Sequence, residues 1–363
     1  MLDNLTILIT TYNRYTLLKR LIKFYTSFNC EVKIIVLDSS SNTLIDKDLC
    51  SMLNSKNIIW KKYNPEIFFA NKIADGSKLI RTEFSVLCAD DDFIFPYALK
   101  EAINYLKINK DFSSCLGYQY KHHVLNLFGK KFVVFQQGSK KGSEIIDKDC
   151  FDRILRYISG QSIYYPFYAV HRSDDFKKIW RQTSAYVDYW GLSEVLPCAI
   201  SLTLGKMRVM NIPYTTRERN DFVWYDEKNV LKMYSYNKIE KAKNGLIEVL
   251  SEINDNDTDK NYNFVNKAFQ ILVDRLVNKS LKKNKYTSLK TTIKNTIKNF
   301  PFLGSFIFTI YIYLFRFIRL YLFNKLLFKN SLDHNTKEKI EELLKSNEYD
   351  LNEVNKSRKD YDF

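Results

Sequence analysis

The 363-residue sequence predicts an α/β fold, with a mixed, mostly parallel sheet flanked by helices and an α-helical C-terminal region. Three observations support this class. Apolar β-branched segments alternate with amphipathic segments through the first half, as strands and crossover helices do in parallel sheets. Polar or acidic residues follow three of the apolar segments, and 45% of all residues are hydrophobic, enough to cover both faces of a sheet. We therefore expect an α/β domain over residues 1–225 and a helical region over residues 226–363.

The predicted elements follow one another in regular order. The segment LTILIT at residues 5–10 is a β-branched run, and apolar residues at helical spacing follow it at residues 15–28. The next segments predict, in turn, a strand, a weaker helix, a strand, a helix and a strand, at residues 31–38, 43–54, 57–63, 70–81 and 83–89. Further along, the sequence predicts a hairpin, an apolar helix and a last strand, at residues 118–143, 194–205 and 207–214.

Charge and cysteine usage narrow the class of protein. The net charge of +15 is compatible with nucleic acid, an anionic membrane surface or phosphorylated substrates. We expect no nucleic-acid partner, because the first 220 residues contain no module in which basic and stacking aromatic residues are interleaved. The six cysteines have no metal-ligand spacing, and the first strand begins too early to leave room for a cleaved export signal.

Three of the predicted strands end in polar residues that point to one binding site. T-Y-N-R follows the first strand, Asp38 ends the second, and the triplet Asp90, Asp91 and Asp92 follows a later one. Ligands of α/β sheets bind beyond the carboxyl ends of the strands. Neighbouring carboxylates repel unless a cation or a donor stands among them, and hard oxygen ligands suit Mn²⁺ or Mg²⁺ bridged to phosphates. The alternative for the acid triplet is an ordinary solvated turn. A cation bound there would neutralise a departing diphosphate, so the expected substrate is a nucleoside diphosphate derivative.

In this order and spacing, residues 1 to about 215 resemble the GT-A glycosyltransferases of family 2. The resemblance implies a Rossmann-like GT-A fold and inverting transfer of a sugar from a nucleotide-diphosphate donor to a lipid-linked or surface-polysaccharide acceptor. It assigns five residues to the base and ribose of the donor: Thr10, Thr11, Tyr12, Arg14 and Asp38.

The resemblance also places Asp90 and Asp92 at the D-x-D positions, as ligands of Mn²⁺ or Mg²⁺, with Asp91 as a further candidate ligand. The stretch DSSSN has a single acid where the family commonly has more. The nucleotide therefore stays open, with uridine diphosphate favoured.

Basic residues at two places are candidates for contact with the donor phosphates. The resemblance implies one such residue between the second strand and the acid triplet, where Lys72, Lys78 and Arg81 lie, and we take Lys78 and Arg81 as the donor-binding candidates. Arg217 and Arg219 follow the last strand, and arginine binds phosphate through two parallel hydrogen bonds. The alternative for each of these cations is an ordinary surface ion pair.

Inverting transfer also needs a carboxylate that takes the proton from the acceptor hydroxyl. By resemblance to a family segment in which acids open a helix that ends in Gly-Lys, Glu194 is the predicted base and Asp188 the second candidate. An ordinary glutamate in a first helical turn is the alternative for Glu194. Trp190 is a predicted sugar-stacking residue, and His171 is predicted to be a structural or acceptor-side residue.

The C-terminal region combines basic and apolar sequence. Residues 275–298 contain eight Lys or Arg and no acid, and residues 299–315 carry no charge. Seventeen residues is the lower limit for a helix that spans a membrane. Polar residues also repeat on one stripe of the predicted helix. This pattern favours a helix that lies in the membrane interface over a membrane-spanning helix or a helix packed on the protein. We expect residues 275–329 to bind an anionic membrane surface, peripherally at the cytoplasmic face of the inner membrane, with a cytoplasmic location as the alternative.

Two other classes of function stay open. A sugar nucleotidyltransferase would share the α/β layout and the carboxylates, but it normally opens with a glycine-rich phosphate loop, and TTYNR has no glycine. A non-catalytic, membrane-associated scaffold that kept the fold would bind no nucleotide.

Overall fold

The computed structural model describes residues 2–28, 32–41, 45–127, 130–137, 144–162, 164–218, 236–253, 258–298 and 334–345. These residues form one nine-stranded mixed sheet with flanking helices, so the predicted α/β class is confirmed. The strands are β1 (Leu5–Thr11), β2 (Lys33–Asp38), β3 (Ile58–Lys62), β4 (Phe84–Ala89), β5 (Asp92–Ile94), β6 (Phe112–Leu127), β7 (Lys130–Gln137), β8 (Val170–Arg172) and β9 (Lys206–Glu218).

The sheet has the order β3-β2-β1-β4-β8-β6-β9-β5, and β7 pairs with β6 as the predicted hairpin. Strands β1 to β4 are parallel to one another, whereas β8 runs antiparallel to both β4 and β6. The main helices are α1 (Tyr15–Thr26), α2 (Lys47–Leu53), α3 (Phe69–Ser77), α4 (Pro96–Ile108), α5 (Cys150–Ile158), α6 (Ser173–Tyr186), α7 (Val195–Leu204), α8 (Tyr236–Ile253), α9 (Thr258–Lys298) and α10 (His334–Lys345).

The parallel strands form because their apolar runs are covered by the helices that connect them. Parallel neighbours need a crossover, and α1, α2 and α3 supply one after each of the first three strands. Helix α3 packs closely on β2: a Cβ atom on Gly76 would lie 2.4 Å from a side-chain carbon of Leu37. Glycine is thus needed at this contact, which brings α3 close to β2.

The acid triplet divides between a turn and a new strand. Strand β4 ends at Ala89, Asp90 and Asp91 form the turn, and β5 begins at Asp92. Strand β5 pairs antiparallel with β9 in a register that sets Asp92 opposite Arg217. This long-range pairing fixes the triplet at the carboxyl edge of β1, β2 and β4.

The C-terminal helices share the hydrophobic core of the sheet domain. Helix α8 packs on α6 and α7, and α9 packs on α5 and α8. Leu246, Leu250 and Phe269 are almost fully buried in the same cluster as the sheet residues. Burial of side chains of this size contributes about 1.5–3 kcal/mol each to the free energy of unfolding. Residues 236–253 and 258–276 are therefore structurally continuous with the α/β part.

Among the helices that the structure describes, none combines the length and apolar character needed to cross a membrane. The uncharged part of the predicted membrane-associating region, residues 299–315, lies outside the described residues.

Candidate active site

The loop after β1 is joined to the loop after β2. Asn13 has a positive φ of 53°, which asparagine tolerates better than most residues. Its amide N–H donates to Ser40 Oγ at 2.8 Å, and its Oδ1 accepts from the Ser41 amide at 3.0 Å. Asn13 is thus not the N-cap of α1, a position that Arg14 occupies. The T-Y-N-R segment and the serine cluster form one continuous rim at the carboxyl edge.

Asp38 lies beneath this rim, fully buried. Its Oδ2 accepts from the Tyr15 hydroxyl at 3.0 Å, the Trp60 indole N–H at 3.1 Å and the Lys62 ammonium at 3.0 Å. Its Oδ1 accepts from the Ser40 amide at 2.8 Å. Burial acts to raise the pKa of Asp38, but the hydrogen bonds from Ser40 and Lys62 outweigh it and hold the pKa below its ordinary value.

A buried lysine connects the first two strand ends. Lys72, in the first turn of α3, is only 4% exposed, and its ammonium donates to the Thr11 carbonyl at 3.2 Å and to Ser39 Oγ at 2.8 Å. Burial lowers the pKa of Lys72 to about 8, and the nearby charges of Asp90 and Asp38 act in the opposite direction. Lys72 therefore places a positive charge between the two acidic positions.

The predicted donor-binding residues Lys78 and Arg81 lie in a different environment from Lys72. Lys78 has a side chain that is 76% exposed and pairs with Asp75 at 3.5 Å, and Arg81 donates to the Lys78 carbonyl at 2.7 Å. Both residues precede β4 in the chain, and none of their described contacts is to the acid triplet.

Asp90 and Asp91 are held by the loop after β1. Asp90 Oδ2 accepts from the Thr11 hydroxyl at 2.8 Å, and its Oδ1 lies 3.2 Å from Nη1 of Arg14. The same Nη1 atom lies 3.6 Å from Asp91 Oδ2. Burial raises the pKa of Asp90, whereas Arg14 acts to lower it. A second arginine, Arg20, is buried under the turn and donates to the Asp91 carbonyl at 3.5 Å.

Asp92 pairs with the other candidate arginine. Its Oδ2 accepts from Nε of Arg217 at 2.9 Å, as the β5–β9 register requires. Burial raises the pKa of Asp92 to about 7, against the effect of Arg217. The guanidinium carbon of Arg217 lies 4.9 Å from the centre of the Tyr168 ring, which supports it from one side. Arg219 lies outside the described residues.

Glu194 interacts electrostatically with the same arginine. It lies directly before α7 and makes no side-chain cap bond, so its carboxylate is not used to begin the helix. Burial raises the pKa of Glu194, and Arg217 acts to lower it. In the described part of the chain no group donates a hydrogen bond to this carboxylate. The structure therefore brings together Asp92, Arg217 and Glu194, which are far apart in sequence.

The second candidate base lies elsewhere. Asp188 is exposed and bound to α8, with Oδ2 at 2.8 Å from the Lys241 ammonium and Oδ1 at 3.9 Å from that of Lys238. The hydrogen bond from Lys241 lowers the pKa of Asp188. Among the described contacts, Asp188 has no link to the acid triplet, so the geometry favours Glu194.

The two acceptor-side candidates have different environments. Trp190 is half-buried, in a short 3-10 turn just before Glu194, and its ring lies 5.2 Å from that of Phe69 and 5.7 Å from that of Phe68. His171 is only 3% exposed, and its ring nitrogens lie 2.9 Å from the Ala169 carbonyl and 3.0 Å from Ser201 Oγ. These contacts favour the structural alternative for His171, because β8 lies inside the sheet.

The remaining donor candidates, Thr10 and Tyr12, lie at the carboxyl edge and are half-buried. Residues that the sequence interpretation missed are Tyr15, Trp60 and Lys62, all bound to Asp38. A signal for two of them was present, since Trp60 and Lys62 end the third strand and so belong to the same edge.

The carboxylates suit a divalent cation that is shared with a ligand. No group of three or more His, Cys, Asp or Glu side chains surrounds a common metal position within the described residues. Such a group is not required, because Mg²⁺ commonly uses one or two carboxylates together with substrate phosphates and waters. Within the described residues, the Asp92 carboxylate has one hydrogen bond, which its Oδ2 accepts from Arg217. Oδ1 of Asp92 is therefore available as a hard oxygen ligand. Asp90 and Asp92 therefore fit the metal that the resemblance implies.

No protein-family model matches the chain, and no curated protein matches it. Among solved structures, the chain is similar to S. aureus TarS 1–349, with a TM-score of 0.45 and 12% identity, covering 78% of this chain and 91% of that one. The structure of S. aureus TarS 1–349 in complex with UDP-GlcNAc gives a TM-score of 0.45 and 11% identity, covering 78% and 92% of the two chains. The complex of the same protein with UDP gives 0.43 and 12%, covering 78% and 91%.

Proposed function

We propose that the chain is a glycosyltransferase that takes a sugar from a nucleotide-diphosphate donor. The observation that carries the proposal is the assembly of acids and cations at one sheet edge, with direct contacts between residues up to 125 apart in sequence. The acids are Asp38, Asp90, Asp91, Asp92 and Glu194, and the cations are Arg14, Lys62, Lys72 and Arg217.

The nucleoside end of the donor lies on the rim after β1 and β2. Thr10, Thr11, Tyr12 and Arg14 approach it from the first loop, and Asp38 supports the second loop from below. The diphosphate lies against Arg14, Lys72 and Arg217, whose positive charges complement it.

The metal proposal is Mn²⁺ or Mg²⁺ at Asp90 and Asp92, with Asp91 as an additional ligand. When bound, such an ion neutralises charge on the leaving diphosphate as a Lewis acid. Arg217 donates to Asp92 and fixes the orientation of its carboxylate.

Glu194 acts as the general base in this proposal. Its carboxylate takes the proton of an acceptor hydroxyl while the hydroxyl oxygen bonds to the anomeric carbon. The bond from that carbon to the diphosphate oxygen breaks, and the nucleoside diphosphate leaves with the electron pair. Burial raises the pKa of Glu194, which moves its basicity toward the working pH. Attack from the face opposite the leaving group gives inversion.

The last two parts of the proposal are the acceptor substrate and the cellular location of the protein. Trp190 stands next to Glu194 with part of its ring exposed, as a sugar-stacking residue would. A lipid-linked or surface-polysaccharide acceptor agrees with the basic sequence of residues 275–298 and the uncharged sequence that follows it. We place the protein peripherally at the cytoplasmic face of the inner membrane.

The test measures nucleoside diphosphate release from a panel of UDP-, GDP-, dTDP- and CDP-sugars in the presence of Mn²⁺ and vesicles of bacterial lipid extract. We expect release with one nucleotide class, a loss of at least 100-fold in Glu194→Gln, and wild-type rates in the exposed control Glu101→Gln. No release by the wild-type chain with any donor, or an unchanged rate in Glu194→Gln, would contradict the proposal.

A further inference from the structure

The carboxylate of Asp38 has no capacity left for a ligand. A carboxylate has about four lone-pair sites on its two oxygens. Four groups of the chain already donate to Asp38, from Tyr15, Ser40, Trp60 and Lys62, at 2.8 to 3.1 Å. The side chain is also 0% exposed. A nucleobase that approached this end of the site would meet the groups that cover Asp38.

Lys62 is the polar group that covers it. Its side chain is 37% exposed, and its ammonium binds Asp38 at 3.0 Å and the Tyr15 hydroxyl at 2.8 Å. The same ammonium lies 5.5 Å from the centre of the Tyr15 ring and 5.7 Å from that of Trp60. Four neighbouring residues, including Ser40 with its carbonyl at 3.4 Å, hold this long side chain in one place at the sheet edge.

We propose that Lys62, and not Asp38, recognises the nucleobase of the donor. The inference rests on the proposed function and adds a specificity-determining residue to it. An ammonium group has three donors and no acceptor, so it recognises exocyclic carbonyl oxygens. A base carbonyl would replace the longest of its three bonds, the one to the Ser40 carbonyl at 3.4 Å. Uracil and guanine carry such oxygens and adenine carries none. The site therefore prefers uridine or guanosine diphosphate to adenosine diphosphate.

The neighbouring lysine provides a matched control. Lys61 precedes Lys62 in β3, is also 37% exposed, and points to the other side of the strand, where it pairs with Asp75 at 2.5 Å. Loss of either lysine removes one positive charge from the same strand. Only Lys62 contacts the residues under the rim.

The experiment measures the affinities of UDP, GDP and ADP by calorimetry, for the wild-type chain, Lys62→Met, Lys62→Arg, Lys61→Met and Asp38→Asn, with melting temperatures for all five. In the wild type we expect a preference of about tenfold or more for UDP or GDP over ADP, from one hydrogen bond to a charged donor. Lys62→Met should reduce the preference to about twofold or less, and Lys62→Arg and Lys61→Met should keep it. Asp38→Asn should keep the preference at weaker overall affinity.

Three outcomes overturn the inference: an unselective wild type, a preference that survives in Lys62→Met, and a preference that is lost in Asp38→Asn. If Lys62→Met melts far below the wild type, Lys62→Arg is used in its place. Loss of the preference in Lys62→Arg is then the contradicting result. Absence of all nucleotide binding in the wild type contradicts the proposed function itself, which distinguishes that failure from failure of the Lys62 assignment alone.

Discussion

The buried histidine of β8 gives a stability prediction with a defined pH window. Burial lowers the pKa of His171 to about 4, whereas an unfolded histidine has a pKa of about 6.5. Between these values the unfolded chain binds a proton that the folded chain excludes. Above about pH 6.5 the protonation of His171 therefore does not change the free energy of unfolding. As the pH falls from about 6.5 toward about 4, the free energy of unfolding decreases. This difference in pKa corresponds to a loss on the order of 2 to 3 kcal/mol in the free energy of unfolding by pH 4.5.

The assay compares the wild type with His171→Gln by urea unfolding at pH 7.5 and pH 4.5. At pH 7.5 the variant should be less stable by about 1–3 kcal/mol, because the bonds to Ser201 and Ala169 are weakened. At pH 4.5 this difference should shrink by about 2–3 kcal/mol, since only the wild type loses the histidine contribution. Since other titrating groups are shared, the comparison isolates His171. Parallel pH dependences of the two proteins would refute the assignment of a buried, neutral imidazole.

Three further predictions concern the site. Asp92→Asn should remove the dependence of UDP affinity on Mn²⁺ in calorimetry, and a variant that keeps it would exclude Asp92 as a ligand. Glu194→Gln should leave the affinity for the donor within about twofold of wild type while lowering turnover about 10²–10⁴-fold, because a base acts only in the chemical step; an equal loss in binding would contradict that role. Lys72→Met should weaken UDP binding about tenfold or more, whereas the exposed control Lys78→Met should not, and similar losses in both would show that the edge assignment is wrong.

The strand-end reasoning predicted much of this site. The β-branched runs before Thr11, Asp38 and Asp90 formed parallel strands, so their polar ends met at one edge as expected. The same reasoning applied to the third strand would have included Lys62. Lys72 contacts Thr11 and Ser39 at that edge, whereas Lys78 pairs with Asp75, and residue type alone does not carry this distinction.

Other features depend on contacts between distant segments. The pair of Asp92 and Arg217 arises from antiparallel pairing of β5 with β9, 125 residues apart in sequence, and no local pattern specifies that register. The burial of His171 depends on β8 joining the sheet between β4 and β6. Asn13 has a left-handed backbone, and its side chain accepts from the Ser41 amide, which is 28 residues away in sequence.

The claim that the acids and arginines at the carboxyl edge form a nucleotide diphosphate site is tested most directly by titrating UDP into the chain with Mn²⁺. Saturable, 1:1 heat release is expected for the wild type and for Asp174→Asn, whose carboxylate is 99% exposed on α6. The double variant Asp90→Asn and Asp92→Asn, still folded by its melting temperature, should lose that heat. Equal affinity of the double variant and the wild type would contradict a diphosphate site at this edge.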